Sequence, residues 1–208
     1  AYDRYPHLFS NNKPKKMVAA SYIGAESAKQ VKLDLSQPIL IYSRRDLNQL
    51  LLDRAAAAGA ELAEERVTNV EAREDGWKLQ TRSARVKADY VVVATGARNP
   101  LRNYGTAWTP EDTMVALGYY IPSTQDHIDI QFLDRLEGYI WIFPRQGHLS
   151  AGICGRGESA QQLRQRLERY LSEKGVRYQG AQLYAHMLPS LSVRHWKTNR
   201  VAGPRWLA

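Results

Sequence analysis

The sequence predicts an α/β (α+β) protein: a small βαβ and β-meander part, then an antiparallel sheet flanked by helices. Three observations carry this. A short apolar segment, Pro38–Tyr42, runs directly into a helical pattern. Tyr90–Ala94 is continuously apolar and rich in valine, as strands of parallel sheets are. After Pro110, four short alternating segments are punctuated by Pro122, Gly138 and Gly147, and a second helical pattern follows them.

Taken in order, residues 1–37 read as irregular, with one short strand near Val18–Ile23. Pro38–Tyr42 reads as a buried strand. Leu47, Leu50, Leu51, Ala55 and Ala58 then fall on one face of a helix that Gly59 stops. Ala60–Ala63 is expected to resume extended structure. Val67–Ala72, Trp77–Thr81 and Arg85–Ala88 form a meander, turning at Glu74-Asp75-Gly76. Tyr90–Ala94 is expected to be a strand buried on both faces, ended by Thr95-Gly96-Ala97. Met114–Ile121, His127–Phe132, Tyr139–Phe143 and Leu149–Cys154 are the four antiparallel strands. Ser159 and Gln162 have capping-box spacing, and Leu163, Leu167, Tyr170 and Leu171 stripe the helix they open, which Gly175 ends. Arg205–Ala208 looks like a further strand.

Composition narrows the function classes. With 44% hydrophobic and 24% charged residues over 208 positions, the chain is expected to fold rather than remain disordered. No apolar run approaches the roughly 20 residues that span a bilayer, and no leader pattern opens the chain. Cys154 is the single cysteine, so an internal disulfide is excluded and a reducing, cytoplasmic compartment fits. The five histidines have no cysteine partners at zinc spacing, and no metal is expected. The formal charge of +8 is scattered apart from Lys13, Lys15, Lys16 and the Arg164, Arg166, Arg169 group. Without a recognition motif it argues against nucleic acid. It leaves open a peripheral contact with acidic lipid heads.

Three groups of residues carry chemistry. At Val91–Ala97 an apolar strand ends in small residues, Thr95, Gly96 and Ala97, where backbone can approach a ligand closely; an ordinary tight turn has the same pattern. At the start of the first helix, Arg44 and Arg45 offer forked donors to a phosphate or a flavin edge, although surface arginines occupy helix starts as well. In Gly138–Pro144 the period-2 alternation puts Tyr139, Trp141 and Phe143 on one side of a strand. Such a row suits a flat or extended apolar ligand, or else a helix packed on the strand.

Tyr139-x-Trp141-x-Phe143-Pro144 followed by Gly152-Ile153-Cys154-Gly155 resembles the Tyr/Phe-x-Trp-x-Phe-Pro and Gly-x-Gly signature of the geranylgeranyl reductase family, with Cys154 where that family has glycine. The strand ending in Thr95–Ala97, Asn99-Pro100-Leu101-Arg102, and Arg44-x-x-Leu47 are similar to the wider group of flavin hydroxylases and reductases. The resemblance implies FAD as cofactor, held in part by Arg44 (Arg45 as fallback), Thr95, Gly96 and Ala97. It implies an isoprenoid or other apolar substrate against Tyr139, Trp141, Phe143, Pro144, Gly152 and Cys154. The implied reaction is hydride transfer from reduced flavin to a carbon–carbon double bond, the electron donor being unassigned. His127 and Tyr119 are candidates for a general acid only by lying on sheet strands. The division implied is a partial FAD-binding domain over 1–107, a substrate-binding domain over 108–198 and a returning FAD-domain strand over 199–208. The family's Gly-x-Gly-x-x-Gly turn is not among these residues and the chain does not begin with Met, so the expectation is an internal piece of a two-domain flavoprotein. Alternatives are a flavin-dependent monooxygenase or halogenase, and a non-catalytic module for apolar ligands or membrane surfaces.

Overall fold

The computed structural model describes residues 4–96, 104, 109–190 and 201–208, and these form two compact units. One unit comprises residues 1–60 and 115–186, the other residues 61–114 and 187–208. The first 60 residues therefore group with the later sheet rather than with residues 61–107.

In the first unit, β1 (Lys15–Ala25) and β2 (Ala28–Tyr42) form a long antiparallel hairpin. Helix α1 (Arg44–Ala57) follows at once, its N-cap Ser43 accepting from the Asp46 amide at 3.0 Å. The remaining strands are β7 (Thr113–Ile121), β8 (His127–Phe132), β9 (Gly138–Pro144) and β10 (Leu149–Gly155), then helix α2 (Ala160–Glu173) and β11 (Gln182–Pro189). The order across the seven-stranded sheet is β11-β7-β10-β9-β8-β1-β2. From β7 to β8 neighbours run antiparallel, and β1 joins β8 in parallel. The hairpin β1–β2 thus extends a sheet that the sequence pattern begins only after Pro110.

Two expectations fail in β2, which lies at the sheet's edge. Pro38–Tyr42 is extended, but only Tyr42 of it is buried. Ala28–Asp34 pairs along β1, and the alternation Val31-Lys32-Leu33-Asp34-Leu35 that continues it is a strand signal which the irregular reading of residues 1–37 passed over. An edge strand needs no buried face, so charged residues are at home there.

α2 covers one side of the sheet. Ser159 and Gln162 form the capping box, and Leu163, Leu167, Tyr170 and Leu171 are all buried. They pack on Leu117, Tyr119, Ile140, Ile142, Ala151 and Ile153, the alternate residues of β7, β9 and β10. α1 differs: none of its residues is buried, and Leu51 is 47% exposed. Its apolar face is present at helical spacing, and only Leu47 and Leu50 of it are even half-buried.

In the second unit β3 (Asn69–Arg73), β4 (Gly76–Gln80) and β5 (Arg85–Ala88) make the predicted meander. β6 (Val91–Val92) pairs in parallel with β13 (Trp206–Leu207), which pairs antiparallel with β12 (Ala202–Gly203). Trp77, Val91 and Val93 form the core of this unit, with Tyr104 wedged edge-on between Trp77 and Trp206. The parallel partner for the valine strand is as its sequence suggests. Burial on both faces is not: Tyr90 is exposed and Val92 is 69% exposed, because one side only meets the core. Ala60–Ala63 forms no strand.

Candidate functional site

β9 alternates as its sequence requires. Ile140, Ile142 and Pro144 turn toward the α2 side and are fully buried. Tyr139, Trp141 and Phe143 turn the other way, and Phe132 of β8 joins them. The four rings form one row, with successive centroids 6.3, 5.5 and 6.4 Å apart. Tyr139 and Phe143 are half-buried, Trp141 is 9% exposed, and Phe132 is 52% exposed. None of these rings belongs to the core beneath α2.

Beside the row, β10 and β7 contribute small residues. Phe143, Trp141 and Tyr139 stand opposite Ser150, Gly152 and Cys154, and these oppose Tyr120, Gly118 and Ala116. Gly118 and Gly152 are direct cross-strand partners. A Cβ on Gly152 would lie 2.3 Å from Cζ2 of Trp141, so the indole lies flat on bare backbone. Of the expected apolar site, Tyr139, Trp141, Phe143, Gly152 and Cys154 share one face; Pro144 does not join them, because the strand's period turns it to the buried side with Ile140 and Ile142. Cys154 is buried, and burial pushes its thiol up from the ordinary range while a backbone hydrogen bond from Tyr139 pulls it back. A protonated, enclosed thiol acts as a small filler rather than a nucleophile. A hollow of about 480 Å³ is lined by residues of β3, β4 and β5, and one of about 180 Å³ lies beside Arg166, Arg169 and Tyr170; the ring row lines neither.

Both candidate general acids lie on the wrong side. Tyr119 points beneath α2, its hydroxyl donating to Glu168 Oε1 at 2.5 Å and accepting from Arg164 Nε at 2.9 Å. His127 alternates with Asp129, toward Tyr170 and Lys174, and bridges Asp126 at 2.8 Å and Asp129 at 3.1 Å. The period of a strand excludes both from the aromatic face. Tyrosines do stand on that face: Tyr120, and Tyr184 of β11, stacked at 4.6 Å. Tyr184 carries no local sequence signal, since its neighbours come from other strands.

Arg145, just past Pro144, donates through Nη1 to the carbonyl of Tyr42, two residues before Arg44. The Phe143 end of the row therefore meets the segment that opens α1, where Arg44 and Arg45 are both exposed.

A family model described as FAD dependent oxidoreductase (DAO) matches residues 41–201, well over half of the chain. The chain belongs to the FAD-dependent oxidoreductase family. No curated protein sequence matches it. Among solved structures, this oxidoreductase chain is similar to the halogenase PltM in complex with phloroglucinol and FAD, at TM-score 0.72 and 15% identity over 98% of this chain and 48% of that one. It is similar to the flavin-dependent brominase Bmp2, at TM-score 0.70 and 13% identity over 99% of this chain and 56% of that one. A third is the peptidyl tryptophan dihydroxylase QhpG, at TM-score 0.61 and 17% identity over 93% and 45%. At these identities the likeness is one of fold. The oxidoreductase chain spans about half the length of each.

The family's cofactor is FAD, and residues in each unit can be tested against it. Gly96 has φ +77°, a backbone that favours glycine, and nothing would lie within 4 Å of a Cβ there. Thr95 and Gly96 are exposed at the end of the valine strand, so a ligand can reach their backbone. Ala97 and Asn99–Arg102 lie outside the described residues. Arg44 offers an exposed guanidinium at a helix start, where anions are favoured. Each of these features, within its own unit, has donors or open backbone of the kind a flavin nucleotide accepts. The glycine-rich pyrophosphate turn is not among the 208 residues. Among the described residues, no helix is long and apolar enough to cross a membrane.

Proposed function

We propose that this chain supplies the substrate-facing sheet of an FAD-dependent oxidoreductase acting on an apolar small molecule, an isoprenoid double bond being reduced. The observation that carries the reading is the row Phe132–Tyr139–Trp141–Phe143, displayed on the sheet face opposite α2. Four rings in line along one sheet face favour an extended chain, held by dispersion and exclusion of water. Bound FAD supplies hydride chemistry at the edge of such a site. The chain's own residues orient the substrate along β9 and keep it dry. Arg44 and the Thr95–Gly96 backbone would hold the flavin, with Arg45 as second choice. The match to a family of enzymes favours catalysis over a passive module for apolar ligands.

A second reading has its own support. PltM and Bmp2 are a halogenase and a brominase, and QhpG is a dihydroxylase. A substrate ring on the same face, attacked with consumption of oxygen, fits the fold equally well. The two readings separate in the protein that carries this chain together with a glycine-rich turn. Anaerobic saturation of farnesol by the reduced enzyme supports the first reading. Oxygen uptake stoichiometric with loss of an aromatic substrate supports the second and overturns the first. For the apolar site itself, farnesol titrated into the 208-residue chain should quench Trp141 fluorescence, and Trp141→Ala should weaken binding about tenfold or more. Undiminished binding in that variant removes the ring row from the site.

A further inference from the structure

The hollow of about 480 Å³ belongs wholly to the second unit, at the β3–β4 turn and the end of β5. Its charged lining is Arg73, Asp75, Lys78, Lys87 and Asp89. Its base is closely packed. Trp77 is 5% exposed, and its indole N–H donates to the Arg205 carbonyl at 3.0 Å. Gly76 has φ +147°, and a Cβ there would stand 2.5 Å from the Ala88 carbonyl oxygen, so the turn and β5 are pressed together. Above this base, Lys78 and Lys87 are direct cross-strand partners. Opposed side chains in an antiparallel pair have Cβ atoms about 5 Å apart, and like charges so placed repel. Glu71, the other cross-strand neighbour of Lys78, is taken by Arg73 Nη2 at 2.7 Å. Among the described residues neither lysine has an ion pair, and neither do Asp75 and Asp89. A bound anion between the two ammonium groups relieves that repulsion.

We propose that this hollow binds a sugar phosphate, free or as part of a nucleotide, with the phosphate between Lys78 and Lys87. The site is independent of the reading given to the aromatic face. A phosphate monoester carries nearly two negative charges and three acceptor oxygens, so it serves both ammonium groups at once. Asp75 and Asp89 cannot serve the phosphate. As carboxylates they accept from hydroxyls, which a sugar supplies. The volume lies within the range of small-ligand sites, about 300–1,000 Å³, and inorganic phosphate alone would leave most of it empty. The same two carboxylates repel a polyanion such as a nucleic-acid strand, so a single phosphate is favoured.

The test titrates the 208-residue chain with ribose 5-phosphate, uridine monophosphate, inorganic phosphate and ribose in a calorimeter. Saturable binding of the two sugar phosphates is expected, with none for ribose. Lys78→Gln and Lys87→Gln should each weaken it about tenfold, the effect of one lost charge-assisted hydrogen bond. Inorganic phosphate should bind about tenfold more weakly than ribose 5-phosphate, lacking the hydroxyls for Asp75 and Asp89; equal affinity overturns the assignment to a sugar phosphate. Tighter binding of uridine monophosphate supports a nucleotide as the source, and equal or lower affinity supports the free sugar phosphate. A second readout is stability. Lys87→Gln removes the repulsion, so its urea midpoint without ligand should rise above the parent's, and ribose 5-phosphate should raise the parent's midpoint but not the variant's. A lower midpoint in unliganded Lys87→Gln shows that the lysine is already paired and overturns the site. Arg82→Gln, on the exposed turn after β4, should leave binding unchanged. A loss there equal to that of the lysine variants shows diffuse attraction only and overturns the site, as does the absence of saturable binding at millimolar concentration.

Discussion

Single residues in this chain are constrained by what stands across the sheet from them. Gly152→Ala would push a methyl to within 2.3 Å of the Trp141 ring. The expected cost is about 1–3 kcal/mol, read as a lower urea midpoint with unchanged slope; a midpoint equal to that of the parent would mean the indole moves aside freely. Tyr119 makes a prediction in pH. Burial, and then its bond to Glu168, push the phenol up to about 12, against a pull from Arg164. A tyrosine in the unfolded chain titrates near 10, so the folded state holds this proton more tightly. The stability that results is fully present below about pH 10 and is lost as pH rises through about 12. Urea midpoints should fall across that window, and Tyr119→Phe should flatten the fall; an equally steep fall in the variant would place the titration elsewhere. At this scale the sequence was readable where a residue's partners are its own strand neighbours. Tyr139, Trp141 and Phe143 share a face because strands have period 2. Tyr184 was invisible because its partners, Tyr120 and Ser150, come from β7 and β10. Tyr119 and His127 were placed on strands correctly, but which face each takes follows from the packing of α2.

The two helices show how differently similar patterns end. Leu167 on α2 is fully buried beneath the sheet, and Leu167→Ala should cost about 2–5 kcal/mol in denaturant unfolding. Ser159→Ala, which removes the N-cap, should cost about 1 kcal/mol. Leu51→Ala on α1 should stay within about 0.5 kcal/mol, because that side chain is already half in water; a loss as large as that of Leu167→Ala would show that α1 is covered in solution. The spacing of leucines located both helices and both stops, at Gly59 and Gly175. It could not say how deeply either is buried, since burial depends on what the remaining chain lays over the stripe. Strands were legible in proportion to their apolar content. β7 to β10 alternate and were found; the first half of β2, Ala28–Asp34, begins the alternation Val31-Lys32-Leu33-Asp34-Leu35 but mixes it with charge, and was read as irregular. The valine strand β6 announced its parallel neighbour, yet only one of its faces meets the core.

At the scale of the whole molecule, the chain divides into two units whose cores are separate: the sheet under α2, and the Trp77–Val91–Val93 cluster. The sequence placed the boundary near residue 107, because the change of character after Pro110 is conspicuous. It missed that residues 15–42 return to the later sheet, a non-local pairing that no periodicity encodes. The FAD-dependent family was legible from the resemblance of the Thr95–Gly96 turn and β9 to flavoproteins; the aromatic row does not choose a substrate, since it serves alkenes and aromatic rings alike. The 208 residues hold Gly96 and Arg44 but no glycine-rich turn, so FAD titrated into this chain should bind weakly, without a stoichiometric yellow complex at low micromolar concentration. Tight binding would place the pyrophosphate on residues other than a glycine-rich turn.

The alternation of β9 has a practical corollary for redesign. Ile140 and Ile142 answer to the fold, whereas Tyr139 and Phe143, half-buried on the opposite side, are held by less packing and on the proposed function face the substrate. A combinatorial library confined to positions 139 and 143 should therefore explore new substrates while most members still express and fold. The same diversity at 140 and 142 would yield mostly insoluble protein.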